Sequence, residues 1–295
     1  MLGSIRSQAQ QVWHKIDGIN TSKRDSREDS SHVGQNGHKV SEKVHSYKSK
    51  HQIIRISKDL QKHVRANFNN KDMQAINNEQ MLSFVQSKID KGLARESIST
   101  YISQLEKVQI GLSKMEQKQD SHNDLFNRKG LIQARINANT YSAKSIHENR
   151  AYINPIAIQS HITNAKSNLS FTLQNKYGLR VAAATNIKSS QLRENNTLYF
   201  KSKGGKEMSV QITPEIYKDL KGGHYQSYNS YVKDFKEAVS KAGEKWQGTH
   251  GNRYSYARDR ITELRKEGLS KQEAHLQVSS ELGHTREEIT EYYLK

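Results

Sequence analysis

The chain has 295 residues, with 47 Lys and Arg against 30 Asp and Glu, a net charge of +17, and no cysteine. The missing cysteine excludes disulfides, thiolate metal sites and cysteine nucleophiles together. The charge excess favours a polyanionic partner, nucleic acid first among them, because each Lys or Arg set on a phosphate releases condensed counterions.

Only 33% of the residues are hydrophobic and only two are proline. That composition predicts a mainly α-helical chain in which part of the length is tail or linker. Met1-Leu2-Gly3-Ser4-Ile5-Arg6 leads straight into polar sequence, so no signal peptide is expected, and no apolar run has the length of a membrane span. The expectation is a soluble, cytoplasmic, DNA-associated protein with no membrane partner.

Residues 1–40 read as a flexible arm, polar and mixed in charge, with a short helical piece around Val12-Trp13-His14-Lys15-Ile16. From 41 to 118 the apolar spacing is helical. Ile53, Ile56, Leu60 and Val64 share one face. Asn77 with Gln80 has the spacing of a helix start, ahead of Met81, Phe84, Val85 and Ile89, and Gly92 is placed to end that helix. Ile98, Tyr101, Leu105, Val108 and Leu112 mark a longer helix. A compact bundle is predicted, with Lys58, Lys62, Arg65, Lys71 and Lys114 outside it. Residues 119–150 are rich in Asn, Ser, Gln and Lys and read as a linker with at most a short helix.

A second domain is predicted over 151–295. Asn154-Pro155 opens a helix. Leu169, Phe171, Leu173 and Tyr177 suggest another, ending at Gly178. Thr197–Phe200 and Met208–Ile212 flank Lys203-Gly204-Gly205-Lys206, a hairpin signal. Thr213-Pro214 begins the next helix. Further helices are expected over 228–242, 249–266, 270–282 and 285–293, the last two with capping-box spacing at Ser270/Glu273 and Thr285/Glu288. The fold class is therefore mainly α, with a small antiparallel β-sheet in the second domain.

The chemically informative text is His250-Gly251-Asn252-Arg253, then Glu281-Leu282-Gly283-His284, then Tyr292-Tyr293. His250 and Arg253, three apart, fall on nearly the same helix face. Each piece alone is commonplace: a lone histidine is more often a satisfied core or surface residue, and a terminal Tyr-Tyr pair more often packs. Their order and spacing together are what distinguish them.

The set resembles the tyrosine recombinases, which include phage integrases and chromosome dimer resolvases, and is especially similar to the plasmid and mobile-element type over Glu281–Leu294. Tyr177-Gly178-Leu179-Arg180 resembles the family's first block, which makes Arg180 the first arginine. Lys203 comes 23 residues after residue 180, on the hairpin where the family's lysine is expected. His250 and Arg253 match the central block and His284 the second histidine. Tyr293, nine residues past residue 284, stands at the offset of the nucleophile. Residue chemistry does not choose between Tyr292 and Tyr293, which point about 100° apart on a helix; the family offset selects Tyr293. The resemblance in motifs covers 177–294, and it implies that the bundle at 41–118 is a core-binding DNA-binding domain and 151–295 the catalytic domain. Three features depart from the pattern. Ala183 replaces an acidic residue common three positions after the first arginine. Asn252 stands where Leu is common. The sequence leaves two residues after Tyr293, where many relatives carry a longer segment that docks on a neighbouring subunit.

The resemblance implies cleavage and rejoining of double-stranded DNA without metal, ATP or other cofactor. Arg180 and Arg253 would hold the non-bridging oxygens through paired planar donors. Tyr293 would attack phosphorus, with His250 accepting its proton, Lys203 protonating the leaving 5′ oxygen and His284 positioning the phosphate. A homotetramer on two duplexes is the implied assembly, with accessory DNA-bending proteins as further partners. Two other readings use the same basic chain: a non-catalytic architectural DNA-binding protein, and a type IB topoisomerase that relaxes supercoils.

Overall fold

A computed structural model of the chain describes residues 1, 3–34, 37–116, 125–144, 148–202, 206–284, 291 and 293. It divides into two units, Met1–Ile146 and His147–Lys295.

The first unit is helical. Helices α1 (Ile5–Lys15), α2 (Lys23–Glu28), α3 (Tyr47–Phe68), α4 (Asn78–Asp90), α5 (Arg95–Glu116) and α6 (Arg128–Tyr141) follow in order. The predicted faces are the buried ones. Ile53, Ile56, Leu60 and Val64 of α3 meet Met81, Phe84, Val85 and Ile89 of α4, and Ile98, Leu105, Val108 and Leu112 of α5, in one core. Full burial of each such side chain contributes about 1.5–3 kcal/mol. The Asn77 side chain caps α4 by accepting from Gln80 N at 3.0 Å.

Two expectations for this unit fail. Residues 1–40 are not a flexible arm: α1 packs against α3 and α5, with Val12, Trp13 and Ile16 at most 1% exposed. The Met1 ammonium pairs with Asp72 at 2.5 Å, and His32 reaches Glu106 at 2.9 Å. Ala9, Val12, Trp13 and Ile16 form a stripe at helical spacing; the short helical piece around 12–16 is legible in the sequence, but the surrounding polar residues hide that it packs into the core. The expected linker fails likewise, because α6 packs against α4 and α5. Its buried stripe is Leu131, Ala134 and Ala138, and two alanines give a weak hydrophobic signal although they allow close helix approach.

In the second unit come α7 (Pro155–Ser160), α8 (Ala165–Tyr177), α9 (Val181–Ala184), β1 (Asn186–Ile187), β2 (Leu192–Arg193), β3 (Thr197–Lys201), β4 (Glu207–Gln211), α10 (Pro214–Leu220), β5 (His224–Tyr225), α11 (Tyr228–Lys241), α12 (Gly251–Lys266) and α13 (Lys271–Glu281). Strands β2, β3 and β4 form an antiparallel sheet, and β1 pairs antiparallel with β5. Strands β3 and β4 are the expected hairpin, registered Leu198 to Val210 and Phe200 to Met208. The hairpin tip at 203–205 and most of the expected helix 285–293 lie outside the described residues. The capping box at Ser270 and Glu273 is present in both directions. Helix α12 packs between α8 and α13, so its first turn is the natural centre of a site. Among the described residues no helix is long and apolar enough to cross a membrane.

Candidate active site

Arg253 lies in the first turn of α12 and is 2% exposed. Burial of a guanidinium is costly unless its donors are used. One terminal nitrogen donates to the Gly178 carbonyl, and the other to the Leu282 carbonyl at 2.9 Å. Those carbonyls belong to the two corners that carry the other motif residues. Gly178, left-handed at φ +65°, ends α8 two residues before Arg180. Gly283, left-handed at φ +70°, ends α13 one residue before His284. The corner at Gly283 closes with Gly283 N donating to Ser280 O at 2.8 Å and His284 N to Ser279 O at 2.9 Å, the paired bonds of a Schellman end. Arg253 thus braces both corners. Burial is the main cause that brings it down to about 10, with Arg180 adding to the effect, so it stays charged at neutral pH.

His250 stands at the N-cap of α12. Its Nε2 lies 2.8 Å from the Tyr293 hydroxyl. The Tyr293 ring is 6% exposed and sits among the rings of Tyr254, His284 and His250, with centroids at 4.4, 5.3 and 5.5 Å. Burial lowers His250 to about 4, helped by the guanidinium groups of Arg253, Arg150 and Arg180. His284 is also lowered to about 4, first by burial and then by Arg253, Arg180 and Lys206. Both imidazoles are therefore neutral at pH 7. In the Nδ1-protonated tautomer, His250 Nε2 accepts the Tyr293 hydroxyl proton.

Arg180 precedes α9, and one terminal nitrogen donates to Ser202 Oγ at the end of β3. Its charge acts on His250, Arg253 and His284 alike. Ser202 supplies the support that Ala183, lacking a carboxylate, does not. The structure therefore brings Arg180, His250, Arg253, His284 and Tyr293 together. Lys203 and Tyr292 lie outside the described residues, although the neighbours of Lys203 along the hairpin, Ser202 and Lys206, both interact with the cluster.

Asn252 is fully buried, and its Nδ2 approaches the Tyr231 hydroxyl at 3.4 Å. Tyr231 in turn donates to Gln174 Oε1 at 2.7 Å. The polar residue at this position thus joins a polar chain linking α12, α11 and α8. Sequence reasoning missed Ser202, Arg150 and Tyr254. Ser202 carried no signal, since its partner is 22 positions away. Arg150 fell in the segment read as linker. Tyr254 sits next to Arg253 and could have been noticed as the aromatic beside the motif.

The arrangement offers two guanidinium groups, two neutral imidazoles and a phenol hydroxyl with a proton acceptor in reach. Such a set suits attack by an oxygen nucleophile on an anionic ester. No protein-family model matches the chain, and no curated protein matches it in sequence. Solved structures do. The Tn1549 transposon integrase in complex with circular-intermediate DNA aligns over 97% of this chain and 94% of its own, with TM-score 0.53 and 12% identity. A lambda integrase dimer bound to a COC′ core site aligns over 83% and 91%, with TM-score 0.57 and 15% identity. The chain shares the fold of these tyrosine recombinases.

Proposed function

We propose that the chain is a tyrosine-type site-specific DNA recombinase. The observation that carries the reading is the Tyr293 hydroxyl 2.8 Å from His250 Nε2, inside a cluster that also holds Arg180 and Arg253. In this reading a DNA phosphate occupies the space between the two guanidinium groups. The Tyr293 oxygen forms a bond to phosphorus and the bond from phosphorus to the 5′ oxygen breaks. The phenol proton passes to His250, and the 5′ oxygen takes a proton from Lys203. The products are a 3′-phosphotyrosine and a free 5′-hydroxyl. Attack by a 5′-hydroxyl on the same link reverses every transfer, so rejoining needs no nucleotide hydrolysis.

The electrostatics favour this sequence. A phenol with a reference value near 10 must lose its proton as it attacks. A histidine lowered to about 4 is a weak base in the free protein. A bound phosphate places negative charge beside the surrounding arginines, which offsets their pull and raises the histidine toward its ordinary value. Proton acceptance is thereby coupled to substrate binding. Removing one donor to the transition-state oxygens of such a site costs about 10²–10³ in rate.

The first unit is proposed to bind DNA as well, and a homotetramer on two duplexes is the proposed assembly. The net charge of +17 supports a DNA partner whose affinity falls steeply with salt. The test is incubation with two supercoiled plasmids, one carrying the DNA that flanks the gene and one unrelated. Covalent adducts and recombinants on the flanking DNA alone support the proposal. Relaxation of both plasmids marks a topoisomerase, and binding without nicking marks an architectural protein.

A further inference from the structure

Two residues outside the matched motif line up behind Tyr293, Tyr254 against its ring and Arg150 against Tyr254. The Tyr254 ring lies 4.4 Å from that of Tyr293, tilted by 32°, and 5.9 Å from the His250 ring. The Arg150 guanidinium carbon stands 5.8 Å from the centre of the Tyr254 ring, within the range of a cation–π contact. Arg150 Nη2 also donates to the Gln247 carbonyl at 2.5 Å, in the segment that leads into His250. At Gly248 a Cβ would come within 3.2 Å of Arg150 Nη2, on a backbone already at φ +76°, so this residue leaves room for the guanidinium. Arg150, Tyr254 and Tyr293 thus form a connected row, anchored at one end to the backbone before α12.

We propose that Arg150 and Tyr254 are positioning residues that hold the Tyr293 ring with its hydroxyl on His250. The inference rests on the recombinase reading above and adds to it a bracket drawn from outside the motif. Tyr254 supplies a flat face that fixes the ring. Arg150 holds that face in place and adds a third guanidinium at the edge of the site. The groups facing His250 are Arg253 and Tyr254 from α12, Arg150 from the segment before α7, Arg180 before α9, His284 after α13, and Tyr293. Of the guanidinium groups, Arg150 alone is exposed, so its removal subtracts charge from His250 and takes away the contact on Tyr254 without opening a cavity in the core. The neutral imidazole is favoured by that charge, and its loss therefore raises the histidine.

The test uses the full chain in four variants, Tyr254→Ala, Tyr254→Phe, Arg150→Gln and Arg150→Lys. Two quantities are read: covalent adduct on a nicked suicide substrate across pH, and the His250 imidazole titration by NMR without DNA. Tyr254→Ala is expected to lower adduct formation about tenfold or more at unchanged DNA affinity, since a small misplacement of a nucleophile is costly. Tyr254→Phe, which keeps the ring, is expected to recover most of that loss. Arg150→Gln is expected to raise the His250 midpoint and shift the acid limb of cleavage to higher pH. Arg150→Lys, which keeps the charge, is expected to hold the midpoint near that of the parent. A His250 midpoint unmoved in Arg150→Gln, or full cleavage by Tyr254→Ala, overturns the bracket. Should Tyr254→Ala not fold, the exposed Arg150 variants decide the matter alone. A parent protein that forms no adduct at all overturns the recombinase reading instead, while the imidazole titration still judges the bracket.

Discussion

Tyr293 and His250, 43 positions apart in one chain, meet through a 2.8 Å contact between the phenol oxygen and Nε2. In the proposed reading the nucleophile, its proton acceptor and both arginines thus lie in one chain. Cleavage in cis is the expected outcome of that reading. Mixing Tyr293→Phe with Arg253→Ala is expected to give no covalent adduct, as each protein alone gives none. Adducts that reappear in the mixture would show that one subunit donates its tyrosine to another.

His250 and His284 contribute to a pH dependence of stability, in the same direction as the half-buried His63 and the buried His224. His250 and His284 stand near 4 in the folded chain, against about 6.5 when unfolded. Between those values the unfolded chain binds more protons, so stability rises with pH from 4 to 6.5 and levels off above. Urea unfolding is expected to show a lower midpoint at pH 5 than at pH 7.5. The difference is expected to shrink in the double variant His250→Asn/His284→Asn. An equal difference in parent and variant would mean that other groups govern it.

Ser202 is the partner of Arg180, and Ala183 offers no substitute. Ser202→Ala is expected to free the guanidinium and slow strand cleavage about tenfold, with DNA affinity nearly kept. Ser202→Thr, which retains the hydroxyl, is expected to restore most of the rate. Single-turnover cleavage with saturating DNA separates the rate from binding. Parental rates in Ser202→Ala would remove the serine from the account.

Gly283 serves two needs at once. It takes a left-handed φ of +70°, and a Cβ there would run into the Met208 sulfur of β4. Gly283→Ala is expected to destabilise the protein by about 1–3 kcal/mol and to displace His284. Adding Met208→Ala relieves the steric part and leaves the backbone part, so chemical unfolding of the double variant is expected to show a partial recovery. Complete recovery would mean that the backbone conformation costs nothing here.

The site was more legible than the scaffold. His250 and Arg253 announce themselves by spacing, and His284 by the Leu-Gly corner before it. What the spacing did not reveal is why those corners hold. Arg253 does this by donating to the carbonyls of Gly178 and Leu282, and backbone acceptors leave no mark in a sequence. The helices over 47–116 could be read because Ile, Leu, Phe and Val repeat at clear steps. For α1 and α6 only a short helical piece was legible and their packing into the core was not, since polar residues crowd α1 and alanines carry much of the buried face of α6. Arg150 was overlooked for a related reason: a lone cation in a polar stretch looks the same whether it faces solvent or the ring of Tyr254.

The central claim is that the Tyr293 oxygen takes the DNA strand. Peptide mapping by mass spectrometry of the protein trapped on a nicked suicide duplex tests it directly. The account predicts a nucleotide-bearing fragment modified at Tyr293 and no such fragment from Tyr293→Phe. Modification at Tyr292, or an adduct that persists in Tyr293→Phe, would contradict it.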